Sequence, residues 1–187
     1  MYLKPYLILL ITALVLGCGT SSKNLVMQKQ VAELDSLIAK KNFVIQSDKA
    51  LPLMTTSMNS VANSGLFPPG SMQNQVSLSR SSNYLKIIGD SVAADLPYFG
   101  ERQMGGGYNG NNGGIVFKGI PKKYEVIKND KRQGFDIRFA IRNASESFNV
   151  QVALFPNRTS SINVTSSQRT AIRYEGVVSS LEEDSSK

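Results

Sequence analysis

Between Phe135 and Arg142 the chain alternates without a break. Phe135, Ile137, Phe139 and Ile141 are apolar, and Asp136, Arg138, Ala140 and Arg142 between them are polar or small. Successive side chains of a strand point to opposite faces, so this segment is a strand with one face buried and the other solvated. Phe148, Val150, Val152 and Leu154 repeat the pattern. The short link Asn143-Ala144-Ser145 makes the two segments neighbours in an antiparallel sheet. Similar short runs, rich in β-branched and aromatic residues, recur from Val76 onward. They are Val76 to Leu78, Tyr84 to Ile88, Ser91 to Leu96, Gly114 to Lys118, Tyr124 to Lys128, Phe135 to Arg142, Ser147 to Phe155, Ser161 to Thr165 and Thr170 to Tyr174. Gly89-Asp90, Asn129-Asp130 through Gly134, Pro156-Asn157 and Ser166-Ser167 separate them at hairpin lengths.

A different period precedes the strands. From Asn24 to about Asn42, Val26, Val31, Leu34, Leu37 and Ile38 fall at helical spacing and predict one helix laid along the domain. It is too short for a freestanding coiled coil. Phe43-Val44-Ile45 then reads as a strand running toward Pro52. The stretch Met54 to Asn74 is rich in Ser, Asn, Gly and Pro and is expected to be an exposed loop, unusually long for a compact domain. The fold class is mainly β: an antiparallel β-sandwich or partly open barrel of about eight to nine strands with one N-terminal helix. Residues 25–178 form a single domain, and residues 179–187, with Glu182-Glu183-Asp184, read as a disordered acidic tail.

The amino terminus stands apart. After Lys4 an apolar run from Tyr6 to Leu16 closes on Gly17-Cys18. This is the export pattern, and the run is too short to span a bilayer. Val15-Leu16-Gly17-Cys18 resembles the lipobox of Gram-negative lipoproteins. That resemblance implies removal of residues 1–17, lipidation of Cys18 with diacylglycerol and an added acyl chain such as palmitate, and a lipidated tether over 18–24. Two or more chains give stable anchoring where one does not. Gly19 in place of aspartate favours the outer membrane, and the lack of an acidic cluster after Ser21-Ser22-Lys23 favours its periplasmic face.

Composition narrows the chemistry. The chain has 187 residues and a formal charge of +7, which falls to +6 when Lys4 leaves with the leader. The bases are scattered, and an exported protein is a poor candidate for nucleic acid. The sole cysteine is Cys18, so the mature domain forms no disulfide within itself. Histidine is absent, which removes the usual general base near neutral pH and the commonest transition-metal ligand. Serine or cysteine catalysis with a histidine base and ordinary zinc sites are thereby excluded. No metal and no cofactor are expected.

Leu96-Pro97-Tyr98-Phe99-Gly100 carries the strongest candidate surface. Tyr98, Phe99 and Tyr108 are the candidate groove residues for a ligand or partner, although the same rings are good core material. Gly105-Gly106-Gly107-Tyr108-Asn109-Gly110 satisfies a nucleotide-binding pattern literally, but Glu101-Arg102-Gln103-Met104 precedes it and a strand follows, so it reads as a loop between strands. Asp95 and Glu101 form a carboxylate pair of the kind glycoside hydrolysis needs, with solvated charges the better reading. Asp90-Ser91-Val92 resembles a periplasmic O-glycosylation acceptor, with Ser91 in an accessible turn.

Several segments together resemble one family. Phe43-Val44 with Ala50-Leu51-Pro52, Ser82-Asn83-Tyr84-Leu85, Gly89-Asp90-Ser91-Val92, Leu96-Pro97-Tyr98-Phe99-Gly100, Gly113-Gly114-Ile115 and Phe155-Pro156-Asn157 are similar to the domain of unknown function 4251 family, over roughly Val31 to Val177. The resemblance implies a small envelope lipoprotein or secreted protein of Gram-negative gut-type anaerobes, and it carries over no catalytic residue. The expected role is therefore a non-enzymatic envelope lipoprotein that meets the membrane through its lipid and an envelope protein or glycan through its loops. A carrier of a small apolar ligand in a sheet cavity is the alternative, and a glycan-processing enzyme the third.

Overall fold

A computed structural model describes residues 21–72, 74–103, 113–143 and 146–181. The elements in chain order are α1 (Ser21–Lys40), β1 (Asn42–Pro52), α2 (Thr56–Asn63), β2 (Val76–Ser77), β3 (Tyr84–Ile88), β4 (Ser91–Leu96), β5 (Ile115–Gly119), β6 (Lys122–Asn129), β7 (Gly134–Asn143), β8 (Glu146–Leu154), β9 (Thr159–Ser166) and β10 (Ile172–Ser180). Nine strands make one antiparallel sheet in the order β5-β4-β3-β1-β10-β9-β8-β7-β6, and β2 adds to β1 beside β3. The sheet curls into a half-barrel. Of the two expected architectures, the partly open barrel is the one formed.

Alternation explains the curl. Phe135, Ile137, Phe139 and Ile141 of β7 and Phe148, Val150, Val152 and Leu154 of β8 are all buried, in one cluster with the inward residues of the other strands. The two ends of the sheet approach each other across that cluster. The Phe117 ring of edge strand β5 lies 6.1 Å from Phe139 and 5.6 Å from Phe148, and the Asn143 amide donates to the Val116 carbonyl at 2.7 Å.

Register defines two ends of the half-barrel. The α1 end holds the start of β1, the β3–β4 turn, the β6–β7 and β8–β9 turns and the end of β10. The opposite end holds the finish of β1, residues 97–103, Gly113-Gly114 and the β9–β10 link. Helix α1 crosses the first end. Leu34 is 1% exposed and Ile38 8%, both within the core cluster, and Leu37 packs against it. Burial of each such side chain contributes about 1.5–3 kcal/mol. Asp35 pairs with Lys128 at 2.8 Å and Glu33 with Arg158 at 3.0 Å, exposed bridges that orient the helix more than they stabilise it. Lys41 ends it in the left-handed conformation, with φ 47°.

Several expectations are corrected. The stretch Met54 to Asn74 is not all loop, because α2 occupies Thr56–Asn63, capped by the Thr55 hydroxyl, with Met58 buried. Helix α1 starts at Ser21, inside the expected tether. Strand β1 continues from Ile45 to Pro52, and β10 spans Ile172–Ser180, so Ser179 and Ser180 belong to the sheet rather than the tail.

Strand β1 needed a special joint. Its register against β10 shifts between Ser47 and Lys49, a bulge opposite Gly176. A Cβ on Gly176 would lie 2.1 Å from the Gln46 carbonyl oxygen and 2.6 Å from the Ser47 Cα, so only glycine fits. On the other edge, β3 pairs with Asn42 to Ile45 and β2 with Lys49-Ala50. Between them the buried Asn83 side chain completes the ladder. Its Oδ1 accepts the Ser47 N–H at 2.9 Å and its Nδ2 donates to the Ser47 carbonyl at 2.9 Å. Asn83→Ala is expected to lose about 1–3 kcal/mol by leaving both backbone groups unpaired, and Gly176→Ala about 1–3 kcal/mol by overpacking. Urea unfolding of the lipid-free domain measures both, and variants as stable as the parent would contradict this account.

Candidate functional site

The opposite end of the half-barrel gathers most of the residues singled out by sequence. After β4 the chain runs through Pro97 to Gln103, and it re-enters the sheet through Gly113-Gly114. The β9–β10 link, Ser167 to Ala171, lies between these two flanks. Gln103 donates its N–H to the Gln168 carbonyl at 2.8 Å, and Thr170 donates to the Glu101 carbonyl at 3.0 Å. On the other side the Arg169 guanidinium donates to the carbonyls of Gly113 at 2.7 Å and Gly114 at 2.9 Å. One link therefore clasps both flanks of the glycine-rich segment.

Two tyrosines fix the first flank. Tyr174, fully buried on β10, donates to the Pro97 carbonyl at 2.8 Å, and burial pushes its hydroxyl far up in pKa, so it stays a neutral donor. The Tyr98 hydroxyl lies 2.8 Å from the Thr170 hydroxyl and within reach of the Glu101 and Thr170 carbonyls. The proton order is self-consistent. Tyr98 gives its proton to a carbonyl, Thr170 gives its own to Tyr98, and the Thr170 oxygen accepts the Glu101 N–H at 3.3 Å. Burial raises the Tyr98 pKa, and the Thr170 hydrogen bond and the Arg169 charge only partly offset this. Gly100 is forced by the same contact, since a Cβ there would meet the Tyr98 hydroxyl at 2.5 Å.

Beneath Tyr98 lies a buried ion pair. Arg169 meets Glu146 in a bidentate pair through one edge of its guanidinium, Nε to Oε1 at 2.7 Å and Nη2 to Oε2 at 2.9 Å, with side chains 5% and 10% exposed. The Ser166 hydroxyl also donates to Glu146, and the guanidinium stacks 5.1 Å from the Tyr98 ring centroid. Burial alone would raise the Glu146 carboxyl. The hydrogen bonds from Arg169 and Ser166 and the charges of Arg169 and Arg102 outweigh it and hold the carboxyl below its ordinary range.

The remaining candidates fall in different places. Phe99 is half-buried and packs against the core. Tyr108 and Cys18 lie outside the described residues. Ser91 is exposed as the first residue of β4, at the α1 end, beside Asp90, which pairs with Lys41 at 3.0 Å. The Glu101 carboxylate accepts from the Thr55 hydroxyl, the cap of α2, and the Thr55 and Ser57 hydrogen bonds lower its pKa. Among the described residues no helix is long and apolar enough to cross a membrane. Arg169, Glu146 and Thr170 were not among the sequence candidates. The signal was present for Glu146, which stands at the inward step before Phe148 and so places a carboxylate inside that requires a cation.

With Glu146 paired to Arg169 and both tyrosine hydroxyls bonded to backbone carbonyls, this cluster holds the backbone shape of the two flanks. Arg169→Met is expected to cost about 3–5 kcal/mol by leaving the Glu146 charge buried and unpaired. The pH dependence follows from the lowered carboxyl. The pair's stabilisation is fully present above 4.5, the carboxyl's ordinary value, and is lost as pH falls through the lower folded value. Unfolding measured from pH 7 to pH 2 should show less acid destabilisation in Glu146→Gln than in the parent, and parallel pH profiles would refute the assignment.

Comparison with known proteins agrees with this architecture. The family described as "Domain of unknown function (DUF4251)" matches residues 26–178. The fold is similar to that of a DUF4251 family protein from Bacteroides eggerthii DSM 20697 known from its crystal structure, with a TM-score of 0.52 and 11% identity, over 81% of this chain and 87% of that one. No curated protein matches. The matched span runs from the first turns of α1 to the close of β10, and the chain therefore belongs to the DUF4251 family.

Proposed function

We propose that this chain is a non-enzymatic, lipid-anchored envelope protein whose half-barrel binds or braces an envelope protein or glycan. The observation that carries the reading is the leader ending at Cys18, three residues before a helix that is packed into the core through Leu34 and Ile38. An anchor so placed is coupled to a rigid domain, and it leaves the clasped Pro97 to Gln103 flank at the far end. The absence of histidine supports a role without acid–base chemistry. The outer membrane, at its periplasmic face, is the proposed site. Phe99, half-buried beside the clasp, is the proposed point of partner contact.

Cys18→Ser is expected to move the protein from the membrane to the soluble fraction, and retention of the variant on membranes would refute the anchor. A photocrosslinking residue at Phe99 should trap one specific envelope component in intact cells. The same residue at Val177, exposed on the outer face of β10 toward the α1 end, serves as control. Equal labelling at the two positions would count against partner binding at the clasped end.

A further inference from the structure

The second turn of α1 carries three consecutive apolar residues that stand clear of the core. Leu25 is 63% exposed, Val26 58% and Met27 46%. Val26 and Met27 face the β8–β9 turn across a groove of about 560 Å³ that Gln30, Phe155, Pro156 and Thr159 also line. The turn is itself firmly built. Arg158 donates to the Phe155 carbonyl at 2.9 Å, the Asn157 side chain accepts from the Thr159 N–H and hydroxyl, and Pro156 is buried. Exposed apolar surface on a rigid frame is unfavourable in water and marks a surface with an occupant.

Chain length identifies the occupant. From Cys18 to Ser21 the chain can span at most about 11 Å, and the helix rises about 7.5 Å more to Val26. A lipid on Cys18 would therefore hold Val26 within about 18 Å of the Cys18 Cα, one thioether link from its glycerol. Amphipathic helices seat their apolar faces about 5–10 Å into the boundary between headgroups and acyl chains. Lys29, exposed one turn further along α1, is suited to phosphate headgroups.

We propose that the second turn of α1 and the β8–β9 turn form a second membrane contact, seated in the interface of the bilayer that holds the Cys18 lipid. This rests on the anchor reading. The half-barrel then stands with its α1 end against the membrane and its clasped end outward. Ser91, at the α1 end, faces the bilayer side.

Because lipidation consumes the sole thiol, a second cysteine can be labelled alone. Val26→Cys and, beside the middle of β1, the exposed Ser82→Cys would each carry a polarity-sensitive fluorophore on the acylated full chain. The labelled chain is reconstituted in phosphatidylethanolamine and phosphatidylglycerol vesicles that contain a headgroup-proximal nitroxide lipid. The expected result is loss of most of the fluorescence at Val26 with a blue shift, and no change at Ser82. Vesicles that float with the protein while both labels stay unquenched would overturn the second contact and leave the anchor standing. Protein that is unacylated by mass and does not float would overturn the anchor reading itself. A small apolar molecule retained by the soluble Cys18→Ser domain and lost with Val26→Asp, or a dimer abolished by Val26→Asp, would assign the groove to that occupant and overturn the bilayer contact.

Discussion

A single antiparallel sheet has one apolar face, and among the described residues the sheet itself and α1 cover much of it. That constraint shapes the molecule. The sheet curls until the Phe117 ring of one edge strand reaches Phe139 and Phe148 near the other edge, and α1 lowers Leu34 and Ile38 into the space that remains. Curling without closing leaves β5 and β6 as edges. Exposed strand edges invite pairing with other chains, and lysines blunt them. Lys118 on β5 and Lys122, Lys123 and Lys128 on β6 stand on these edges.

What was legible in the sequence follows from the same constraint. Strands that bury one face declare themselves by alternation, and Tyr84–Ile88 and Ser91–Leu96 match their expected bounds. Reading failed where the period changes. In β1 the inward positions run Phe43, Ile45, Ser47 and then Ala50, because the bulge inserts a residue and inverts the parity, so a strict alternation stops at Ile45. In β10, Gly176 occupies a buried position that its side chain cannot advertise. Helix α2 has one buried residue and no stripe, and its definition comes from Thr55, which is tied to Glu101 across the fold. Arg169 and Glu146 meet across 23 positions of sequence, a pairing no local pattern encodes.

The segments on which the family resemblance rests share a physical character. Asn83 completes a ladder with its side chain, Gly100 makes room for the Tyr98 hydroxyl, and Asn157 closes a turn on Thr159. Each is a joint where regular pairing gives way and a particular residue type restores it. Core positions accept many apolar side chains of suitable size, whereas joints do not. A sequence signature located at joints therefore reports architecture, and it is compatible with different uses of the surface.

The Asn83 joint has a consequence for how such a chain can vary. Because an amide side chain spans the gap in the β1 edge between β3 and β2, the register of the sheet does not depend on how the backbone travels from Pro52 to Asn83. Within that excursion β2 and the Leu78 N–H, which donates to the Asp48 carbonyl at 2.8 Å, join the ladder, and Met58, Val76 and Leu78 are buried, whereas Leu53 to Ser71 lies outside the ladder. A change in the length of Leu53 to Ser71 would therefore leave the pairing of β1 with β3 and β2 in place.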